Sequence, residues 1–131
     1  MNERDTILVT GSRDWDDIET MRAWLEPALK RYPRLVEGGA RGADDQAAAI
    51  AANMDPFVPT QVYRVDEALD GPWPAAGPER NARMVEAEWH RIKRALAFTS
   101  RKTLTKGTRN CVDCLSAWGI PVTIVTKGAR P

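Results

Sequence analysis

A doubly wound parallel α/β sheet, with about five strands in the order 3-2-1-4-5 and helices on both faces, is the expected architecture of this 131-residue chain. Short β-type runs alternate with segments of helical periodicity from end to end, with no linker, repeat or low-complexity stretch between them. Glycine-bearing turns follow three of those runs, at Thr10-Gly11-Ser12-Arg13, at Gly38-Gly39-Ala40-Arg41-Gly42-Ala43-Asp44 and at Lys106-Gly107-Thr108. Right-handed crossovers make 3-2-1-4-5 the simplest order, with strand 1 central and the topological switch between strands 1 and 4.

Thr6-Ile7-Leu8-Val9-Thr10 is a continuous β-branched and apolar run, as in a strand covered on both faces. A helix is expected from Asp16, where Asp16 and Glu19 form an acidic capping pair and Ile18, Met21, Leu25, Leu29 and Tyr32 recur at helical spacing; Pro27 should kink or split it. Arg34 to Glu37 reads as strand 2, and the alanine-rich stretch from Ala43 to Ala52 as a helix able to pack close to a sheet. Thr60 to Val65 alternates polar and apolar residues like an edge strand, and Asp66 to Gly77 is the longest loop. Pro78 suits the first turn of a helix running to about Ile92, with Val85, Trp89 and Ile92 facing inward. Ala95 to Phe98 is strand 4, and a polar loop runs from Thr99 to Thr108. The last helix extends from about Arg109 to Trp118 and stops at Gly119, and Pro121 to Val125 is strand 5.

The length suits one domain spanning residues 1–131, and 43% hydrophobic with 28% charged residues is ordinary for a globular protein. A net charge of +1 leaves no whole-molecule field to attract DNA or anionic lipid, so any pull on anions has to be local. No apolar run reaches membrane-spanning length, and the charged N-terminus lacks a signal-peptide core, so a cytoplasmic protein without membrane contact is expected. Cys111 and Cys114 form one C-x-x-C; with His90 remote and no second cysteine pair, two reduced, packed thiols are expected rather than a metal site.

In a sheet of this order, ligands bind at the carboxyl ends of the strands flanking the switch. That edge gathers the glycine turns, and Arg13, Arg41, Arg80, Arg101, Lys102, Lys106 and Arg109 make it a cationic mouth on a nearly neutral chain. Guanidinium groups pair with phosphate, and N–H groups following Gly11, Gly39 and Gly107 would cradle it. Ser12 and Thr108 are expected as phosphate-contacting hydroxyls. Asp44 is expected either to complement its helix dipole or to face the ligand. Trp89 reads as core. Trp15 and Trp73 stand in loops, where a ring either stacks on a base or covers a core.

Taken in order, Val9 to Arg13, Gly38 to Asp44, Gly77-Pro78-Glu79-Arg80-Asn81 with Met84, and Gly107-Thr108 with Gly119 to Val122 resemble the SLOG superfamily, and within it the group related to the YspA and YpsA proteins. The resemblance implies a Rossmann-like domain from a bacterium or phage that binds nucleotides or derivatives such as NAD or ADP-ribose, and it implies a homodimer. Relatives of LOG type are phosphoribohydrolases, with an arginine from R-K-x-x-M and a glutamate from P-G-G-x-G-T-x-x-E in the active site. Arg80-Asn81 with Met84 is similar to the first motif. In the second, Thr103-Leu104-Thr105 stand for P-G-G and Cys111 takes the glutamate position, which removes the obvious acid/base group.

The expected function is therefore binding or sensing of a nucleotide-derived small molecule. The binding residues are Gly11, Ser12, Arg13, Gly38, Gly39, Arg41, Gly42, Asp44, Arg80, Asn81, Gly107 and Thr108, and no metal is called for. The enzymatic alternative is a nucleotide N-glycosidase using Arg80 and Asp44. A short single-stranded nucleic-acid footprint is a third class, which the near-zero net charge disfavours.

Overall fold

The computed structural model describes residues 3–131; Met1 and Asn2, the start of the charged N-terminal segment, lie outside the described residues. Five parallel strands form one sheet in the order β3-β2-β1-β4-β5. In chain order the elements are β1 (Thr6–Gly11), α1 (Ile18–Arg31), β2 (Leu35–Glu37), α2 (Ala43–Ala52), β3 (Thr60–Val62), α3 (Glu67–Asp70), α4 (Ala76–Glu88), β4 (Ile92–Thr99), α5 (Lys106–Ala117) and β5 (Val122–Thr126). This is a Rossmann-like α/β architecture. No helix among the described residues is long and apolar enough to cross a membrane.

Alternation of side chains along β1 divides the core into two layers. Ile7 and Val9 face α1 and α2, where they join Trp15, Met21, Leu25, Leu29, Ala43, Ala47, Leu96 and Phe98. Leu8 faces α4 and α5 with Val36, Met84, Val85, Ala95, Cys111 and Leu115. β1 needs apolar residues on both faces because helices cover both, which is why its sequence shows no alternation. Its pairing with β4 runs Leu8 with Ala95 to Gly11 with Phe98, so the ends of the two strands flanking the switch lie level.

Several boundaries differ from the expected ones. Asp17 rather than Asp16 caps α1, its carboxylate accepting from the Thr20 N–H at 3.1 Å. Pro27 does not split α1, which runs unbroken as 14 residues. β3 stops at Val62, and the segment after it holds α3, whose Asp70 carboxylate pairs with Arg83 at 2.8 Å. α4 ends at Glu88, so Ile92 opens β4 instead of completing a helical stripe. α5 begins at Lys106, three residues before the expected start, and this moves a helix N-terminus into the glycine turn.

Of the two alternatives open for Trp15 the structure shows a ring that covers the core, whereas Trp89, expected in the core, lies outside it. Trp15 is 1% exposed and packs on Phe98 with ring centroids 5.3 Å apart. Trp89 is 36% exposed and stacks on Trp118 at the surface, at 5.1 Å. The chain turns after α4 within three residues to enter β4, which carries Trp89 off the inward face. Trp15→Ala should therefore cost about 3–5 kcal/mol in urea denaturation, as for other fully buried aromatics, and Trp89→Ala only a fraction of that. Equal losses would contradict this assignment of the core.

Candidate functional site

Because all five strands run parallel, the loops after β1, β2 and β4 emerge at one edge of the sheet. They are drawn together by Ser12. Its N–H donates to the Phe98 carbonyl at 2.9 Å, its carbonyl accepts from the Ala43 N–H at 3.1 Å, and its hydroxyl accepts from the Ser100 N–H at 3.1 Å. Ser12 is fully buried, so its hydroxyl is a structural tie beneath the site rather than the expected contact to phosphate. Gly11 allows this closeness: a Cβ there would overlap the Phe98 carbonyl and lie 2.7 Å from Ala43 Cβ. Gly42, at φ +82°, similarly lies against the carbonyls of Ser12 and Arg13.

Above this junction opens a cleft of about 670 Å³. Its walls come from the end of β1 (Thr10, Gly11, Arg13, Asp14), the start of α2 (Ala40, Asp44), the start of α4 with the residues before it (Trp73, Pro74, Gly77, Pro78, Arg80, Asn81), and the β4–α5 turn (Arg101, Thr105, Lys106, Gly107, Thr108, Asn110). Of the expected binding residues, Gly11, Arg13, Asp44, Arg80, Asn81, Gly107 and Thr108 line it. Ser12, Gly38, Gly39, Arg41 and Gly42 do not. Arg41 is exposed and does not line the cleft, and the same holds for Lys102 and Arg109 from the expected cationic mouth. Arg13, Arg80, Arg101 and Lys106 remain, set against Asp14 and Asp44, with Asp14 at 3.7 Å from Arg101.

The three expected N–H cradles fare differently. The N–H after Gly11 belongs to Ser12 and is bonded to Phe98. In the loop after β2, three successive N–H groups are already answered by carboxylates of the protein. Gly38 and Ala40 donate to Asp44 Oδ2 at 3.2 Å, and Gly39 donates to Glu37 Oε1. This concave backbone has the form of an anion-binding nest, and it is filled from within. Gly38 and Gly39 serve the protein's own packing: a Cβ on Gly38 would come 2.6 Å from Arg80 Nη1, and one on Gly39 2.8 Å from Arg64 Cγ.

Only the α5 cradle is open. Lys106, Gly107 and Thr108 have N–H groups without a hydrogen-bond partner among the described residues, and Thr105 makes no side-chain cap. The Thr105 hydroxyl donates instead to the Thr108 hydroxyl at 3.0 Å. Gly107 has free space where a Cβ would stand. The first turn of α4, with Gly77 and Pro78, lines the same cleft and also lacks a side-chain cap, so two helix dipoles present positive ends there.

Arg80 is held in place by the backbone it supports. Its Nη1 donates to the carbonyls of Gly38 and, at 3.2 Å, Tyr63, while Nε donates to Asn81 Oδ1 at 2.9 Å. Nη2 has no partner among the described residues. Asn81 in turn donates to Asn110 Oδ1 at 3.0 Å, linking α4 to α5 across the cleft floor. Asn110 was not among the expected residues; its only signal was its place one turn beyond Gly107. Glu37 was also missed as a site element, because a carboxylate closing a strand reads as an ordinary surface residue until the loop folds back over it.

Both carboxyls of the filled nest are perturbed. Burial pushes Asp44 up to about 6, opposed by the N–H groups of Ala40 and Gly38 and by Arg80. Burial pushes Glu37 up to about 7, with Asp44 and Asp45 adding repulsion against the Gly39 N–H. Cys111, standing where the resemblance places a glutamate, lies in the core beneath β4, and burial pushes its thiol up to about 12. It offers no replacement for that carboxylate.

Residues 6–66 match the YspA, cpYpsA-related SLOG family. The chain belongs to that family. The matched segment contains the Gly11 turn, the filled nest and Asp44, whereas Arg80 and the α5 cradle lie beyond it. This SLOG chain is also similar to the Gene 61 protein of Mycobacterium phage D29, with 38% identity over 131 residues covering 95% of this chain and 98% of the phage protein. No solved structure matches it.

Glu37 has a pH signature. The folded protein holds a proton there that the unfolded chain releases near 4.5, so this contribution to stability is complete below about 4.5 and lost as pH rises through about 7. Glu37→Gln keeps an acceptor for Gly39 without the charge. From pH 5 to pH 8, urea denaturation should show the parent losing roughly 1–2 kcal/mol more than the variant, after allowance for solvent screening. Identical pH profiles would show that Glu37 does not titrate in this range.

Proposed function

We propose that this protein binds a phosphorylated, nucleotide-derived small molecule in the cleft, with a phosphate at the first turn of α5. The observation that carries the reading is the open cradle of Lys106, Gly107 and Thr108, which lies in the same cleft as Arg13, Arg101 and Lys106. Free N–H groups, a helix dipole and exposed cations together favour an anion, and the N–H groups after β2 are unavailable for it. The volume of the cleft suits a ligand of nucleotide size. Membership of the SLOG family is compatible with nucleotide-related chemistry and supports the same reading.

A second reading, N-glycosidic hydrolysis, is favoured by one observation. Asp44 is a buried carboxyl with a pKa of about 6 in the wall of this cleft, beside Arg80. A carboxyl whose titration is raised toward neutrality suits general acid/base work. Release of free base from a nucleoside monophosphate, abolished by Asp44→Asn, would establish that activity; a ligand recovered unchanged would leave the protein a binder.

Calorimetry with AMP and ADP-ribose tests the primary reading. Lys106→Ala or Arg101→Ala should weaken binding by about 1.5–3 kcal/mol, the range for charge-assisted hydrogen bonds, and Arg41→Ala should leave it unchanged. A loss confined to Arg41→Ala would move the site out of the cleft.

A further inference from the structure

Four of the five tryptophans have structural work to do. Trp15 is packed on Phe98, and its indole N–H donates to the Asp17 carbonyl. The indole N–H of Trp24 donates to the carbonyl of Ala129. Trp89 and Trp118 stack on each other, with a near-parallel interplanar angle of 18°. Trp73 has none of these attachments. It is 55% exposed, the most exposed of the large aromatic rings after Phe57, and its indole N–H makes no hydrogen bond among the described residues.

Its position is nonetheless defined. Pro72 and Pro74 flank it, and the Cζ3–Cη2 edge of the ring lies over the first turn of α4 at Gly77, where an added Cβ would stand in ordinary contact, 3.4 Å from Cζ3. The ring is thus backed by helix at one edge, with more than half of the residue exposed to solvent. It lines the cleft that holds the α5 cradle, and it also walls a second, shallower groove formed with Tyr63, Arg64 and Arg83. Leaving this large, stiff ring exposed forgoes the stabilisation that its burial would bring. The ring is well suited to stacking a flat heterocycle, because every nucleobase presents a π-face.

We infer that Trp73 is the base-stacking residue of the cleft, and that the ligand carries an aromatic base as well as a phosphate. This rests on the phosphate-binding reading and adds the second half of the ligand: the α5 cradle holds the phosphate, and Trp73 selects nucleotides over sugar phosphates. Stacking is tolerant of base identity, so Trp73 discriminates between molecules with and without a base far more than between purines.

Paired titrations of AMP and ribose 5-phosphate against the parent, Trp73→Ala and Trp73→Phe test this. The parent should bind AMP more tightly than ribose 5-phosphate. Trp73→Ala should weaken AMP by about 5- to 100-fold while leaving ribose 5-phosphate unchanged, and Trp73→Phe should recover most of the loss. AMP should quench tryptophan emission in the parent and not in Trp73→Phe. If AMP binds and Trp73→Ala leaves its affinity unchanged, or weakens both ligands alike, the stacking role is overturned while the phosphate site stands. If neither ligand binds the parent, the phosphate site itself falls, and the stacking role with it.

Discussion

The closeness of three backbones at Ser12 is the constraint on which the site depends. One residue joins the end of β1 to β4 through its N–H, to the start of α2 through its carbonyl and to the β4–α5 loop through its hydroxyl. Such an arrangement requires neighbours without side chains, and Gly11 and Gly42 meet that requirement on either side. Once the three loops are drawn together there, the remaining edge residues have little freedom, and the cleft above them follows from the geometry of the junction.

Electrostatics then sort the backbone donors of that edge into two groups. After β2, Glu37 and Asp44 occupy the N–H groups of Gly38, Gly39 and Ala40, so the chain supplies its own anions where a glycine-rich loop would otherwise receive one. The cost of burying those carboxylates is visible in their raised pKa values. After β4, the first turn of α5 has no such internal partner among the described residues. Arg80 ties the two regions together, since the same guanidinium that supports the Gly38 carbonyl also lines the cleft. A glycine-rich segment and a ligand cradle are therefore different things in this protein, although both look alike in the linear chain.

The parallel sheet and its order were legible because they depend on patterns local in the chain. The unbroken apolar run of β1, the alanine face of α2 and the glycine after α5 each report on the layer or turn they occupy without knowledge of distant residues. The element boundaries that misled were those where local signals compete. Asp16 and Asp17 both suit an N-cap, and the choice between them depends on which carboxylate reaches Thr20. The path from α4 to β4 depends on how soon the chain has to enter the sheet, and that decides the fate of Trp89.

Residue types and their spacing by themselves determined the fold class, the edge at which loops gather and the excess of cations there, because hydrophobic period, crossover handedness and strand direction are properties of short segments. Which of those cations and N–H groups face a common cavity was settled only in three dimensions. Arg41 and Arg13 follow equally plausible glycines, yet Arg13 lines the cleft and Arg41 does not. The cleft is assembled by contacts between residues far apart in the chain: Ser12 is tied to Ala43, Phe98 and Ser100, and none of these partners can be recognised from the neighbours of Ser12 in sequence.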